Sequence, residues 1–236
     1  MSLNPNTRAL VHEMLDCGVL ALRDVERGEE PFLYSSGNKG PGYAMVKGLV
    51  AQRRLLRALV RELAIAIHEA AVGIEYVAGN ATGGMVPAWI LAEELTELSG
   101  KEVPYFYVRG SRKVGGHSEQ ITGDDLNDFF TPGRRGIVME ELVNFAETTV
   151  NSALVQREAG YEVNHGATIL FYDHPVAAVR LASSSMELFH LITMKELLDE
   201  AEETGVFESR LIADYRRFLA DPPAWQRAHG LEPVVA

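Results

Sequence analysis

Two spacings alternate along this chain. Short apolar runs bounded by glycine, proline or acidic residues read as buried strands at 73–78, 103–108, 137–139, 167–172 and 188–192. Residues 4–27 place Leu10, Val11, Met14, Leu15, Val19, Leu20 and Leu22 on one helical face, with an interruption near Gly18. A long helix over 44–71 carries Val46, Leu49, Val50, Leu55, Leu56, Leu59 and Ile65, with His68 at the edge of the core. Further helices are predicted over 86–98, from Thr148 to a C-cap glycine at Gly160, over 175–181, and as an amphipathic pair over 194–220. Strand followed by helix, repeated, predicts an α/β fold: a mostly parallel sheet covered on both faces.

The stretch 136–160 organises the rest. Its apolar run, Ile137-Val138-Met139, leads into two carboxylates, Glu140 and Glu141, then a turn of about six residues, then the helix from Thr148. Strand, acidic pair, loop and helix is a layout that holds a sugar phosphate: carboxylates take ribose hydroxyls, while loop amides and the helix N-terminus take the phosphate. The loop itself, Asn144-Phe145-Ala146-Glu147-Thr148, has no glycine and carries an anion.

Three other stretches carry candidate chemistry. The turn 79–84, Gly-Asn-Ala-Thr-Gly-Gly, lies between a strand and a helix; its glycines let backbone approach a phosphate closely, or simply make a tight connection. After the strand at 103–108 come Arg109, Arg112 and Lys113, three cations within five residues, in a glycine-bearing stretch. It reads as a lid over a polyanion or as a solvated hairpin tip. The segment 35–43 reads as a hairpin with solvated polar residues, or as a ligand-facing turn with Lys39 and Tyr43. Arg53, Arg54, Arg57 and Arg61 recur at helical spacing, a basic stripe that reads as a phosphate-binding face or, more commonly for four arginines on one helix, a solvated or subunit-contacting one. The segment 123–135 reads as a surface connection.

Charge narrows the partners. A net charge of -11 argues against non-specific nucleic-acid or membrane binding, so an anionic ligand needs a local cation cluster or a metal ion. Cys17 is the single cysteine, which excludes an intrachain disulfide and a cysteine-based metal site. No apolar run approaches the roughly 20 residues of a membrane span, and the N-terminus lacks a signal-peptide layout, so a cytoplasmic protein is expected.

Several of these stretches together resemble the bacterial orotate phosphoribosyltransferases. Residues 36–43, Ser-Gly-Asn-Lys-Gly-Pro-Gly-Tyr, look like the family's hood segment, and 79–84 is similar to its pyrophosphate loop. Tyr107-Val108-Arg109 with Lys113 and 120–123 resembles its catalytic lid, and 139–160 aligns without a gap with its signature for 5-phosphoribosyl 1-diphosphate (PRPP). The ending 217–225 is like the family's C-terminus. The resemblance implies a single type I phosphoribosyltransferase domain: N-terminal helix and hood at about 1–45, core at about 46–193, C-terminal helices at about 194–236. It also implies a homodimer and a Mg2+-dependent exchange of pyrophosphate for a base such as orotate, a step of pyrimidine biosynthesis. On this resemblance Arg109 and Lys113 neutralise pyrophosphate, Glu140 and Glu141 hold the ribose hydroxyls, Gly83 and Gly84 lie beneath pyrophosphate and Mg2+, and Lys39 and Tyr43 line the base end.

The departures cluster in the same places. Glu141 stands where the family usually has Asp, Gly115 where it has the lid histidine, Gly110 at a basic lid position, and Lys47 at the hood's closing Arg. His117 follows two residues after Gly115 and joins the candidate substrate-binding set. In the phosphate loop both glycines are replaced, leaving Asn144, Glu147 and Thr148 as the polar groups. Glu147 beside a 5′-phosphate costs roughly 1–4 kcal/mol at a few ångströms and intermediate dielectric. With no phosphate it stabilises the following helix by about 0.3–1 kcal/mol. Three readings therefore stand: a phosphoribosyltransferase with a rebuilt loop, a relative acting on another ribosyl ligand, and a non-catalytic ligand-sensing relative.

Overall fold

The computed structural model describes residues 3–110, 120–125 and 127–234, which form two compact units, Met1–Gly48 with Lys195–Ala236, and Leu49–Met194. The first and third of the expected segments thus share one unit.

In that terminal unit, helix α1 (Pro5–Asp16) starts at Asn4, whose side chain accepts from the Thr7 amide at 2.8 Å. The helix expected over 4–27 stops there. Gly18 turns left-handed at φ 74°, and Leu20–Leu22 becomes strand β1, antiparallel to β4 (Gly42–Ala44). Between them β2 (Phe32–Leu33) and β3 (Lys39–Gly40) form a small hairpin. A Cβ on Gly42 would lie 2.6 Å from the Tyr215 ring, so only glycine lets this strand meet helix α7 (Ser209–Ala220). Helix α6 (Met194–Thr204) precedes it, and α8 (Pro222–Ala228) follows as a third helix where the apolar spacing predicted a pair.

The Leu49–Met194 unit is a six-stranded sheet in the order β10-β9-β8-β5-β6-β7. Its strands are β5 (Tyr76–Asn80), β6 (Tyr105–Val108), β7 (Ile121–Thr122), β8 (Arg135–Val143), β9 (Glu162–Phe171) and β10 (Glu187–Thr193). All neighbours are parallel except β6 and β7, as expected of a mostly parallel α/β sheet. Helices α2 (Arg53–Glu69) and α3 (Met85–Ser99) pack together on one face, and α4 (Glu147–Glu158) and α5 (Pro175–Ser183) on the other.

Four details correct the sequence reading. The helix expected over 44–71 is a 3-10 segment, Val46–Ala51, followed by α2, and His68 at its end is exposed, with no place in the core. Arg57 and Arg61 are not simply solvated; both reach Glu94 on α3, whose side chain is 2% exposed. In the connection 123–135, Phe130 packs on the core with its ring 5.1 Å from Phe106 and 5.7 Å from Tyr76. Strand β8 runs four residues beyond Met139, to Val143, so Glu140 and Glu141 belong to the strand and do not follow it.

Candidate active site

The ends of β5, β6 and β8 lie side by side, because β5 pairs with both β6 and β8. In an open parallel sheet, the crevice beyond the C-terminal strand ends is where ligands bind. The glycine turn after β5, Arg109 after β6 and the acidic pair of β8 therefore come from separate stretches of chain to one edge.

Strand alternation sends the acidic pair to opposite faces. Glu140 points toward α4, 8% exposed. Its Oε1 accepts from Asn80 Nδ2 at 2.8 Å and Thr149 Oγ1 at 2.5 Å, and its Oε2 from Thr148 Oγ1 at 2.8 Å. Burial pushes the Glu140 carboxyl above its ordinary pKa; the Thr149, Thr148 and Asn80 donors oppose this, and the neighbouring Glu141 charge adds to it. Glu141 points toward the glycine turn instead. A Cβ on Gly83 would fall 1.9 Å from Glu141 Oε1, so the carboxylate occupies the space above that glycine. Gly84 is confined by backbone instead, since a Cβ there would lie 2.2 Å from the Met139 carbonyl oxygen. The Ala81–Thr82 peptide bond in this turn is cis.

The loop between β8 and α4 keeps a left-handed turn without glycine. Ala146, 3% exposed, has φ 56° and serves as the N-cap residue of α4 with no side-chain cap. Arg180 of α5 donates to the Phe145 carbonyl at 2.5 Å, and the Phe145 ring meets the His174 ring at 4.8 Å. Asn144 is half-buried, whereas Glu147 and Thr148 are exposed in position, with Glu147 in the first turn of α4. Thr148 is turned inward by its bond to Glu140.

A small cavity of about 70 Å³ joins Asn80, Arg109 and Thr148 to Gln120, Asn151 and Ser152. Arg109 is half-buried there, its amide donating to the Gln120 carbonyl at 2.8 Å and its guanidinium 5.7 Å from the Tyr107 ring centroid. Lys113 and His117 lie outside the described residues. Lys39 and Tyr43 belong to the terminal unit: Lys39 pairs with Leu33 in the hairpin, and Tyr43, 42% exposed, stacks near Tyr34 at 6.3 Å. The motifs of the sequence do not mark Asn80, Thr149 and Arg180 as site residues. A second threonine beside Thr148 in the first turn of a helix was the one available signal.

One other cluster of potential metal ligands is found among the described residues, Glu26, Asp214 and His229 in the terminal unit. Arg217 already bonds both carboxylates at 2.8 Å, which neutralises the group internally.

No family model matches the sequence. The orotate phosphoribosyltransferase of Sinorhizobium medicae is 30% identical to it over 208 residues, covering 86% of this chain and 84% of that one. The chain belongs to the orotate phosphoribosyltransferase family. Solved structures agree on the fold. Leishmania donovani UMP synthase superposes with a TM-score of 0.73 at 21% identity, covering 91% of this chain and 42% of that one. The orotate phosphoribosyltransferase of Aeropyrum pernix gives 0.59 at 24% identity, covering 84% of this chain and 99% of that one. Among the described residues no helix is long and apolar enough to cross a membrane.

Proposed function

We propose that the protein transfers the phosphoribosyl group of PRPP to a pyrimidine base such as orotate. One observation carries the reading: the Glu141 carboxylate is seated over Gly83, so the acidic strand end and the glycine turn form one surface. A ribose bearing a pyrophosphate needs both, a hydroxyl acceptor and a backbone that approaches closely.

In this reaction the bond from the anomeric carbon to pyrophosphate breaks, its electron pair leaving with pyrophosphate. The bond to the base nitrogen forms, and that nitrogen loses its proton. The sugar is oxocarbenium-like between these events, so stabilisation is electrostatic. Arg109 and Lys113 neutralise the departing pyrophosphate from the lid, across a homodimer interface. Glu140 and Glu141 accept from the ribose hydroxyls, and Lys39 and Tyr43 meet the base. His117, Asn144 and Thr148 complete the substrate-binding set, Asn144 and Thr148 beside the 5′-phosphate, which Glu147 faces at like charge. Mg2+ takes oxygen ligands and keeps several waters, so the half-buried Glu141 carboxylate fits as its protein oxygen. When bound, it supplies charge neutralisation on the pyrophosphate. Such charged substrates suit a cytoplasmic enzyme.

The test is orotate consumption followed by ultraviolet absorbance with PRPP and Mg2+, alongside a PRPP thermal shift. Turnover that Lys113→Ala abolishes without unfolding is expected. A folded protein with neither turnover nor a PRPP-induced shift retires the reading.

A further inference from the structure

Glu140 is an unusual group to bury. It meets three neutral donors, from Asn80, Thr148 and Thr149, and an ionised carboxylate without a cation is a poor way to stabilise a core. Its surroundings nevertheless define it closely. Asn80 closes β5, between β6 and β8, and its own backbone is fixed: its carbonyl accepts from the Gly84 amide at 2.9 Å, and the next amide, of Ala81, donates to the Val108 carbonyl at 2.8 Å. The side chain therefore starts from a rigid point.

The amide of Asn80 is oriented for Glu140 and not for its own satisfaction. Nδ2 donates to Glu140 Oε1, while Oδ1 is buried without a hydrogen-bond partner among the described residues. The opposite orientation would set Oδ1 against the carboxylate oxygen, acceptor to acceptor. With Asn80, Thr149 and a longer contact of 3.1 Å from Thr148 on Oε1, that oxygen is filled, whereas among the described residues Oε2 takes Thr148 alone. The two oxygens are thus not equivalent toward a ligand.

We infer that Asn80 and Thr149 are positioning residues that hold Oε1 of Glu140 so that Oε2 is the oxygen presented to a ribose hydroxyl. The inference rests on the proposed phosphoribosyl transfer for its catalytic consequence. Its geometric content, a carboxylate aimed by a donor from another strand and one from a helix, applies to any ribosyl ligand at this edge. A reactant held about 1 Å out of place loses rate on the order of 100-fold.

The experiment compares wild type with Asn80→Ala, Thr149→Val and Thr149→Ser, measuring kcat and KM for PRPP and for orotate, thermal midpoints, and ribose 5-phosphate binding by calorimetry. Expected are a fall in kcat of roughly 10- to 100-fold in Asn80→Ala and Thr149→Val, an unchanged KM for orotate, weakened ribose 5-phosphate binding, and recovery in Thr149→Ser. A purely structural role would impair Thr149→Ser and Thr149→Val alike or lower kcat only as far as the protein unfolds, and either result overturns the inference. So does an active wild type whose Asn80→Ala variant has the same constants. A wild type that binds ribose 5-phosphate without turnover retires the proposed reaction alone, and Asn80→Ala binding then decides the inference. A wild type that binds no ribose 5-phosphate and shows no turnover overturns both.

Discussion

Arg57 Nη1 lies 3.0 Å from Glu94 Oε1, joining α2 to α3 through a carboxylate that is itself 1% exposed as a residue. Arg61 bonds the other oxygen of the same carboxylate. Two cations at the surface therefore serve one buried anion, and either alone leaves it partly matched. Removing both, in Arg57→Ala/Arg61→Ala, strands the charge and should cost about 3–5 kcal/mol. Each single change should cost clearly less than half of that. Urea denaturation checks this: the midpoint should fall with little change in slope.

Gly83 and Gly84 are adjacent but constrained by different things. A methyl on Gly84 meets backbone, the Met139 carbonyl, which cannot move without shifting β8. A methyl on Gly83 meets the end of the Glu141 side chain, which can swing away. Gly84→Ala should therefore destabilise the fold by about 1–3 kcal/mol or more. Gly83→Ala should keep its thermal midpoint yet lose turnover on the order of 100-fold, because Glu141 is displaced. Thermal melts and kcat/KM on the two variants separate these outcomes; similar melts would contradict the assignment.

The aromatic cluster around Tyr76 predicts alkaline instability. Burial, then the Tyr161 and Asp124 charges, pushes the Tyr76 hydroxyl well above its ordinary value, and burial followed by Tyr107 pushes Tyr105 up to about 12. Both groups bind their protons more tightly folded than unfolded. The contribution of each is complete below the unfolded value near 10; that of Tyr105 is lost as pH rises toward about 12, and that of Tyr76 goes on falling beyond it. Thermal midpoints measured from pH 9 to pH 12 should be flat at first and fall steeply beyond about 10. Tyr76→Phe should in addition cost about 1–3 kcal/mol at neutral pH, since it leaves the buried Gln156 Oε1, 2.9 Å from the Tyr76 hydroxyl, unpaired.

Glu147 stands in the first turn of α4, exposed, where the proposed reaction puts a 5′-phosphate. Exposure places the like-charge penalty at the low end, about 1 kcal/mol. Glu147→Gln should lower the KM for PRPP about fivefold and weaken its rise with falling salt. Steady-state kinetics at two ionic strengths read this directly. An unchanged KM would move the phosphate away from this helix terminus.

Much of this protein is legible without coordinates. The order of strands and helices follows from local periodicity, and the α/β class from their alternation. Boundaries were less legible. Leu20 to Leu22 continue the helical spacing of α1, but a left-handed Gly18 at φ 74° and antiparallel pairing with Gly42–Ala44 turn them into a strand. The loop 144–148 reads from sequence as a phosphate turn stripped of its glycines. Ala146 nevertheless keeps a left-handed φ of 56°, held by a buried side chain and by Arg180 on the Phe145 carbonyl.

The kind of fold, the family likeness and the stretches that carry the chemistry can be read along the chain, because these depend on residue type and spacing. Where the two carboxylates point depends instead on how the strands and helices pack. Strand alternation makes that a matter of a single residue in the length of β8, and it sends Glu140 to α4 and Glu141 to Gly83. The donors that hold Glu140 come from the following helix and from a strand 60 residues upstream. No local spacing can specify a hydrogen bond between residues that only the pairing of parallel strands brings together.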